Sequence, residues 1–402
     1  MQKKKKKVQS GDMSQQAIAL HKKLGGKVRM VSAMRVRSKK DLSRIYTPGV
    51  AAVSTMIAGD PNKAREYTIK GKMVAVISDG SAVLGLGNIG PLGALPVMEG
   101  KAALFKTFAG VDAMPIVIDV PQRIRAARQQ ERVDFLVETI CAIAPAFGGI
   151  NLEDIAAPVC FEVERRVIDM LDIPVMHDDQ HGTAIVVLAG LINALTVVNK
   201  RMDSVRVVIS GAGAAGTAIA KLLHAAGAQR IIVLDSRGCI DVSRPEHHKR
   251  DLATFTNPEG ITGGLREALR GADVLIGVSG PGLATCEDIA CMAERAIVFA
   301  MANPIPEIMP DEAQKGGAMV VGTGRSDFPN QINNSLAFPG IFRGALDYGV
   351  RIITPDMKLA VARAIAGLIK KPTADKIVPD MFDTRVVRAV ACAVGACATG
   401  NT

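Results

Sequence analysis

Two stretches of the 402-residue sequence carry Gly-x-Gly-x-x-Gly, the spacing that lets a backbone turn approach a pyrophosphate: Gly85 to Gly90, and Gly211-Ala212-Gly213-Ala214-Ala215-Gly216. The spacing decides nothing alone; its context does. Around the second stretch, Val205 to Ile209 reads as a buried strand and Thr217 to Ala226 as a helix. Arg230 to Leu234 reads as a second strand ending at Asp235, 24 residues after Gly211. In that order Gly211 makes the turn, Gly213 admits the phosphates, and Gly216 lets helix and sheet pack closely. The backbone of Ala212, Ala214 and Ala215 completes the cradle, and Asp235 binds ribose hydroxyls. A carboxylate there slightly favours NAD, because it repels a 2′-phosphate. Arg237 could receive that phosphate, so NADP stays open. The first stretch runs into Pro91-Leu92-Gly93 and has no acid closing an adjacent strand, so it reads as a glycine-rich loop lining a site.

Two acidic pairs, Glu153-Asp154 and Asp178-Asp179, each stand at the edge of an apolar segment. Convergent carboxylates suit Mg²⁺ or Mn²⁺, hard cations that prefer oxygen donors and keep positions open for substrate. Taken alone, such pairs are more often solvated helix caps. His177 and His181, four apart, raise zinc as an alternative. There is no His-Glu-x-x-His and no cysteine cluster, so packing or supporting hydrogen bonds is the better reading for both.

Strands alternating with helices position these groups. Met73 to Ser78, Met114 to Val120 and Pro174 to Met176 read as strands in the first half; Val274 to Ile276 and Ile297 to Met301 continue the series in the second. The pattern predicts an α/β protein with a Rossmann-type doubly wound parallel sheet domain and a separate α/β substrate/catalytic domain. The expected divisions are a disordered basic tail over 1–13, a substrate, catalytic and metal-binding domain over 14–180, and a dinucleotide-binding domain over 181–354. C-terminal helices over 355–402 are expected to pack on the first domain. Residues 14–38 read as one helix, followed by a loop reaching Tyr46, and Gln122 to Ala144 has helical spacing.

Composition limits the partners. The net charge is +10, and half of it equals the five lysines Lys3 to Lys7. With no Trp, 3 Tyr and 11 Phe there is no aromatic interleaving for base stacking, so no nucleic-acid partner is expected. An anionic substrate and cofactor account for a mild positive bias. The longest apolar stretch, Ala184 to Val198, falls short of a membrane span, so no membrane partner is expected. The N-terminal charges precede no apolar core, and seven scattered cysteines suit a reducing cytosol; a cytoplasmic location follows as an expectation.

A set of motifs then appears in fixed order: Ile45-Tyr46-Thr47-Pro48-Gly49-Val50, Leu84 to Gly90, Pro96-Val97-Met98-Glu99-Gly100-Lys101, Gly149 to Asp154, His177 to Thr183, Ala302-Asn303-Pro304 and Phe338-Pro339-Gly340. Together they resemble the short bacterial and archaeal type of malic enzyme, from about Ser14 to about Ile369. The resemblance implies oxidative decarboxylation of malate, a small dicarboxylate, with NAD or NADP and Mg²⁺ or Mn²⁺. It implies Lys101 as the base at the substrate's 2-hydroxyl, which at a pKa near ~10.4 must be lowered by burial or metal to about 7–8. Tyr46 would protonate the enol carbon. Glu153, Asp154 and Asp179 would ligate the metal, with Asp178 beside them. Asn303 would touch cofactor and substrate, and Asn333 and Asn334 substrate. Relatives are commonly homodimers. Where larger malic enzymes carry a carboxylate-binding Arg, this sequence has Ala82. Malolactic or oxaloacetate-decarboxylating chemistry on the same scaffold is the nearest alternative. A non-catalytic nucleotide- or nucleic-acid-binding protein is the remote one.

Overall fold

The computed structural model describes residues 10–83, 85–126 and 128–400. Its first sheet holds β1 (Met73–Ser78), β2 (Asp112–Val117), β3 (Gly149–Leu152) and β4 (Val175–His177), all parallel, in the order β2-β1-β3-β4. The second holds β5 (Arg206–Ser210), β6 (Arg230–Asp235), β7 (Gly238–Cys239), β8 (Val274–Gly277), β9 (Ala296–Ala300) and β10 (Ala318–Thr323). Its order is β10-β9-β8-β5-β6-β7, parallel except for β7. Strands such as β1 and β9 are buried along their whole length, as parallel strands covered on both faces must be. This is the α/β architecture with a doubly wound sheet that the alternation predicts.

Each sheet reverses strand order once, and the crevice lies beyond the carboxyl ends at that point. In the first sheet β1 has β2 on one side and β3 on the other; in the second β5 lies between β6 and β8. The Gly85–Gly90 loop, Glu153-Asp154 and Asp178-Asp179 follow β1, β3 and β4. The Gly211–Gly216 turn follows β5. Chemistry-bearing residues of both halves are thus delivered to carboxyl edges.

The helix Asp178–Val198 joins the halves, packing on the Ala214–Ala225 and Pro355–Ala366 helices. It corrects the membrane argument: at 21 residues and mean hydropathy 1.9 it is long and apolar enough to span. What marks it as a core helix is its packing, with 72% of that stretch buried inside the protein.

Other expectations shift at element ends. The helix expected over 14–38 runs Ser10–Leu24 and stops where Gly25 and Gly26 take φ of 62° and 119°. A left-handed residue is an ordinary helix terminator. A separate helix, Lys39–Ile45, is capped by Ser38, which accepts from the Asp41 amide. The basic tail expected over 1–13 lies outside the described residues up to 9, and Ser10 onward is helical. The helical stretch from Gln122 divides into Gln122–Arg125 and Gln129–Ile143. The strand β10 escaped the sequence reading because its short run sits between Gly316-Gly317 and a Gly324 loop. The C-terminal helix Arg385–Thr399 packs on the Phe338–Asp347 and Pro355–Ala366 helices. The Phe338–Asp347 helix in turn stacks Phe338 and Phe342 on Phe105 of the first half, at 4.7 and 5.6 Å.

Candidate active site

The carboxyl edge of the first sheet gathers four acids and one amine. Lys101, near the end of the Gly90–Leu104 helix, is 7% exposed. Its Nζ lies 2.7 Å from Glu153 Oε1, hydrogen-bonds Asp178, and sits 4.4 Å from the centre of the Phe338 ring. Glu153 also accepts from Asn151 Nδ2 at 2.9 Å. Asp154 takes φ of 53°, and its amide donates to Asp179 Oδ2 at 2.7 Å. Glu153, Asp154 and Asp179 each offer an oxygen within 4.8 Å of the others. Three buried or half-buried carboxylates this close repel strongly unless cations compensate. Their all-oxygen donor set fits a hard divalent cation.

At Lys101 burial and neighbouring charge act against each other. Burial alone would lower the Lys101 pKa, as sequence reasoning required of a base. The negative charges of Asp178, Glu153 and Asp179 outweigh it, and the amine is held above its ordinary value. Burial pushes Glu153 well up, against the pull of Lys101. Asp179 is lowered despite burial, because the His177 imidazole beside it favours its charged form. His177 Nε2 lies 3.2 Å from Asp179 Oδ2, and His181 Nε2 lies 3.0 Å from Glu164 Oε2. Both histidines therefore support carboxylates, which is the reading preferred over zinc.

Glu164 was not singled out from sequence. Buried in the Val159–Met170 helix, it accepts from the His177 amide at 2.7 Å and from Gln180 Nε2 at 3.1 Å, besides His181. It thereby fixes the chain that presents Asp178 and Asp179. No local pattern marks it, since Glu-Arg-Arg on an amphipathic helix reads as surface.

Across the cleft lies the dinucleotide turn. Gly211 takes φ of 121°, and a Cβ there would sit 2.6 Å from the Val278 oxygen; at Gly216 it would sit 1.8 Å from the Gly211 oxygen. A Cβ at Gly213 would meet nothing within 4 Å, so that face is open to a ligand. Asp235 is ringed by cations: Lys249 Nζ at 2.9 Å, Arg244 at 3.1 Å and Arg237 at 3.4 Å. Arg237 also pairs with Glu246 at 2.7 Å. A pocket of about 760 Å³ joins the turn to Asp235, Ser236 and Lys249.

A second pocket, about 560 Å³, continues from Gly213, Ala214 and Ala215 to Asp179, Asn303, Asn333 and Asn334, and Ala82 and Gly85 also line it. The Asn333 side-chain oxygen accepts from the Ser335 amide and hydroxyl, leaving its NH₂ as the available group. A further acid missed from sequence organises this wall. Glu307, 1% exposed, accepts from the Ser279 amide at 2.8 Å and the Ala302 amide at 3.0 Å, tying together the loops after β8 and β9. Tyr46 stands apart: it ends the Lys39–Ile45 helix, is 66% exposed, and does not line this pocket.

Comparison with known proteins finds two family models along the chain. The malic enzyme N-terminal domain model matches residues 25–168, and the malic enzyme NAD binding domain model residues 180–399. The chain is 54% identical over 387 residues to the bifunctional malic/malolactic enzyme of Bacillus subtilis, covering 95% of this chain and 92% of that one. It is 52% identical to the NAD-dependent malic enzyme of Geobacillus stearothermophilus, covering 95% and 78%. The crystal structure of malic enzyme from Pyrococcus horikoshii superposes with a TM-score of 0.89 at 47% identity, covering 96% and 91%. Two parallel-sheet units, the second built for a nicotinamide dinucleotide, make this an enzyme of the oxidoreductase class. The chain belongs to the malic enzyme family.

Proposed function

We propose that the protein oxidises malate to pyruvate and CO₂ with NAD or NADP, on a divalent cation held by Glu153, Asp154 and Asp179. The observation that carries this reading is the convergence of those carboxylates with Lys101, together with Asp179 lining the pocket that leads from the dinucleotide turn. When bound, Mg²⁺ or Mn²⁺ would supply Lewis-acid charge beside the substrate's 2-oxygen and draw Glu153 and Asp179 away from Lys101. The Gly211–Gly216 cradle would hold an oxidised nicotinamide dinucleotide, which would supply the hydride acceptor for C2.

The chain's own groups do the rest. Lys101 holds a proton while its carboxylate partners are unengaged, and becomes the base for the 2-hydroxyl once they are engaged. Asn303 places the nicotinamide and the substrate, and Asn333 and Asn334 offer amide donors to a substrate carboxylate. These two stand in for the Arg whose place Ala82 takes. Tyr46 supplies the proton to the product carbon. Its exposure fits a homodimer, in which the arm carrying Val31, Leu42, Ile45 and Val50, all exposed apolar residues, lies against a second copy. The cations around Asp235 neutralise it, which supports use of NADP as well as NAD. Small-molecule chemistry and the reduced cysteines support a cytoplasmic setting.

Turnover of malate with each cofactor, with and without chelator, tests the proposal: pyruvate and reduced cofactor are expected in equal amounts, abolished by chelator. The name of the Bacillus subtilis relative favours one second reading, malolactic chemistry. Net lactate without free reduced cofactor would establish that reading instead.

A further inference from the structure

Within the acidic cluster, Asp154 has its backbone at φ of 53°, the left-handed conformation that residues other than glycine seldom hold. Such a conformation persists where the surroundings over-determine it. The loop after β1 does so here. The Glu153 amide donates to the Ile77 oxygen at 2.9 Å, and the Ala82 amide donates to the Asp154 oxygen at 3.0 Å. Two residues past Asp154, the Ala156 amide donates to Ser81 Oγ at 2.9 Å. The first two bonds join backbone to backbone; the third depends on a side chain.

The surroundings of the Ser81 hydroxyl decide that it accepts there. A hydroxyl has one hydrogen to give and two lone pairs, whereas a carboxylate only accepts. Ser81 Oγ lies 2.6 Å from Asp79 Oδ1, so its hydrogen is committed to Asp79 and a lone pair faces the Ala156 amide. The Ser81 amide donates to the same Asp79 oxygen at 3.1 Å, and Arg132, from the Gln129–Ile143 helix, pairs with the other. The Asp79 side chain is 1% exposed and follows β1 on the edge that carries the acidic cluster. Its charge is matched by Arg132, so Asp79 serves Ser81 and adds no free charge to the cluster. Arg132, Asp79 and Ser81 form a chain of bonds, charge-assisted at its start, that ends on the turn after Asp154.

We propose, resting on the assignment of Glu153, Asp154 and Asp179 as cation ligands, that Ser81 is a positioning residue for Asp154. Its hydroxyl acts through the Ala156 amide and holds the turn over 154–156 in the left-handed geometry that brings the Asp154 carboxylate beside Glu153 and Asp179. Without that bond the turn relaxes toward ordinary backbone angles. A rotation at Asp154 then swings both of its oxygens, and the three carboxylates no longer converge. Partners that orient a ligand from behind change metal affinity about tenfold to a hundredfold when removed.

Titration of the whole enzyme with Mn²⁺, followed by electron paramagnetic resonance, tests this. Calorimetry with ADP-ribose on the same samples reports the dinucleotide end of the cleft, and so whether the fold is intact. Ser81→Ala should weaken Mn²⁺ binding about tenfold or more and leave ADP-ribose affinity unchanged. Ser81→Thr, which keeps the hydroxyl, should restore Mn²⁺ binding. Full Mn²⁺ affinity in Ser81→Ala, ADP-ribose affinity falling in step with that for Mn²⁺, or Ser81→Thr no better than Ser81→Ala would each overturn the proposal. Asp179→Asn in the same assay separates the two claims. Loss of Mn²⁺ there with full binding in Ser81→Ala overturns the role of Ser81 alone. Retention in Asp179→Asn overturns the ligand assignment, and the role of Ser81 with it.

Discussion

Replacing Lys101 by Met keeps the length of the side chain and removes its charge. In the cation-free protein that ammonium is the counter-ion of Glu153, 2.7 Å away, and of Asp178, and both carboxylates are nearly inaccessible to water. Breaking a buried pair by removing one partner costs about 3–5 kcal/mol, because the remaining charge stays buried. Part of that cost is relieved by protonation. Glu153 already has its pKa pushed up by burial, and losing Lys101 raises it further. A carboxyl group whose folded-state pKa exceeds its unfolded value loses stability for the protein as pH rises, so the deficit should be smaller near pH 5 than near pH 8. A divalent cation reverses the order. In the wild-type protein it competes with Lys101 for Glu153; in the variant it meets no competitor, so it stabilises the variant more. Urea unfolding in chelator and in excess Mn²⁺, at both pH values, reads all three effects. Equal stability of variant and wild type in chelator, or a smaller gain from Mn²⁺ in the variant, would refute the reasoning.

Lys249→Gln removes a cation from Asp235 and should raise the KM for NADP about tenfold or more while changing that for NAD little; steady-state kinetics with each cofactor checks it. Glu164 is buried, which would raise its pKa, yet His181 and its other partners hold it at about 2 against an ordinary 4.5. Its contribution, about 3 kcal/mol on that shift, is complete above the unfolded value and fades as pH falls toward 2, so the stability gap between wild type and Glu164→Gln should narrow through that window in acid titrations. Glu307→Gln turns one acceptor toward a backbone donor as an NH₂ group. It should cost about 1.5–3 kcal/mol and raise the cofactor KM, because the Ser279 and Ala302 amides lose their common anchor; unchanged melting and KM would discount that role.

Legibility from sequence followed the distance over which each feature is determined. The unit from β5 through Gly211 and β6 to Asp235 is local: each part sits where its neighbours in the chain predict it, and it stands so in the structure. The end of the first helix was misjudged although Gly25-Gly26 marked it, because apolar and basic residues continue beyond the glycines. Pairings across long separations leave no local pattern, and only the ordered motif set grouped some of those residues in one site. Lys101 meets Asp178, 77 positions away, and that meeting reverses the sign of the pKa shift expected from burial. Glu164 and Glu307 carry no local signature, since their partners are backbone amides 13 and 28 residues distant. The acidic pairs were visible as pairs; their convergence depends on β3 and β4 being neighbours in the sheet.

Mn²⁺ binding followed by electron paramagnetic resonance, with malate turnover measured on the same samples, tests the central claim most directly. One Mn²⁺ per chain is expected for the wild type, with binding and turnover both lost in Asp179→Asn while dinucleotide binding persists. Metal-dependent turnover surviving in that variant would contradict the assignment of the acidic cluster as the catalytic centre.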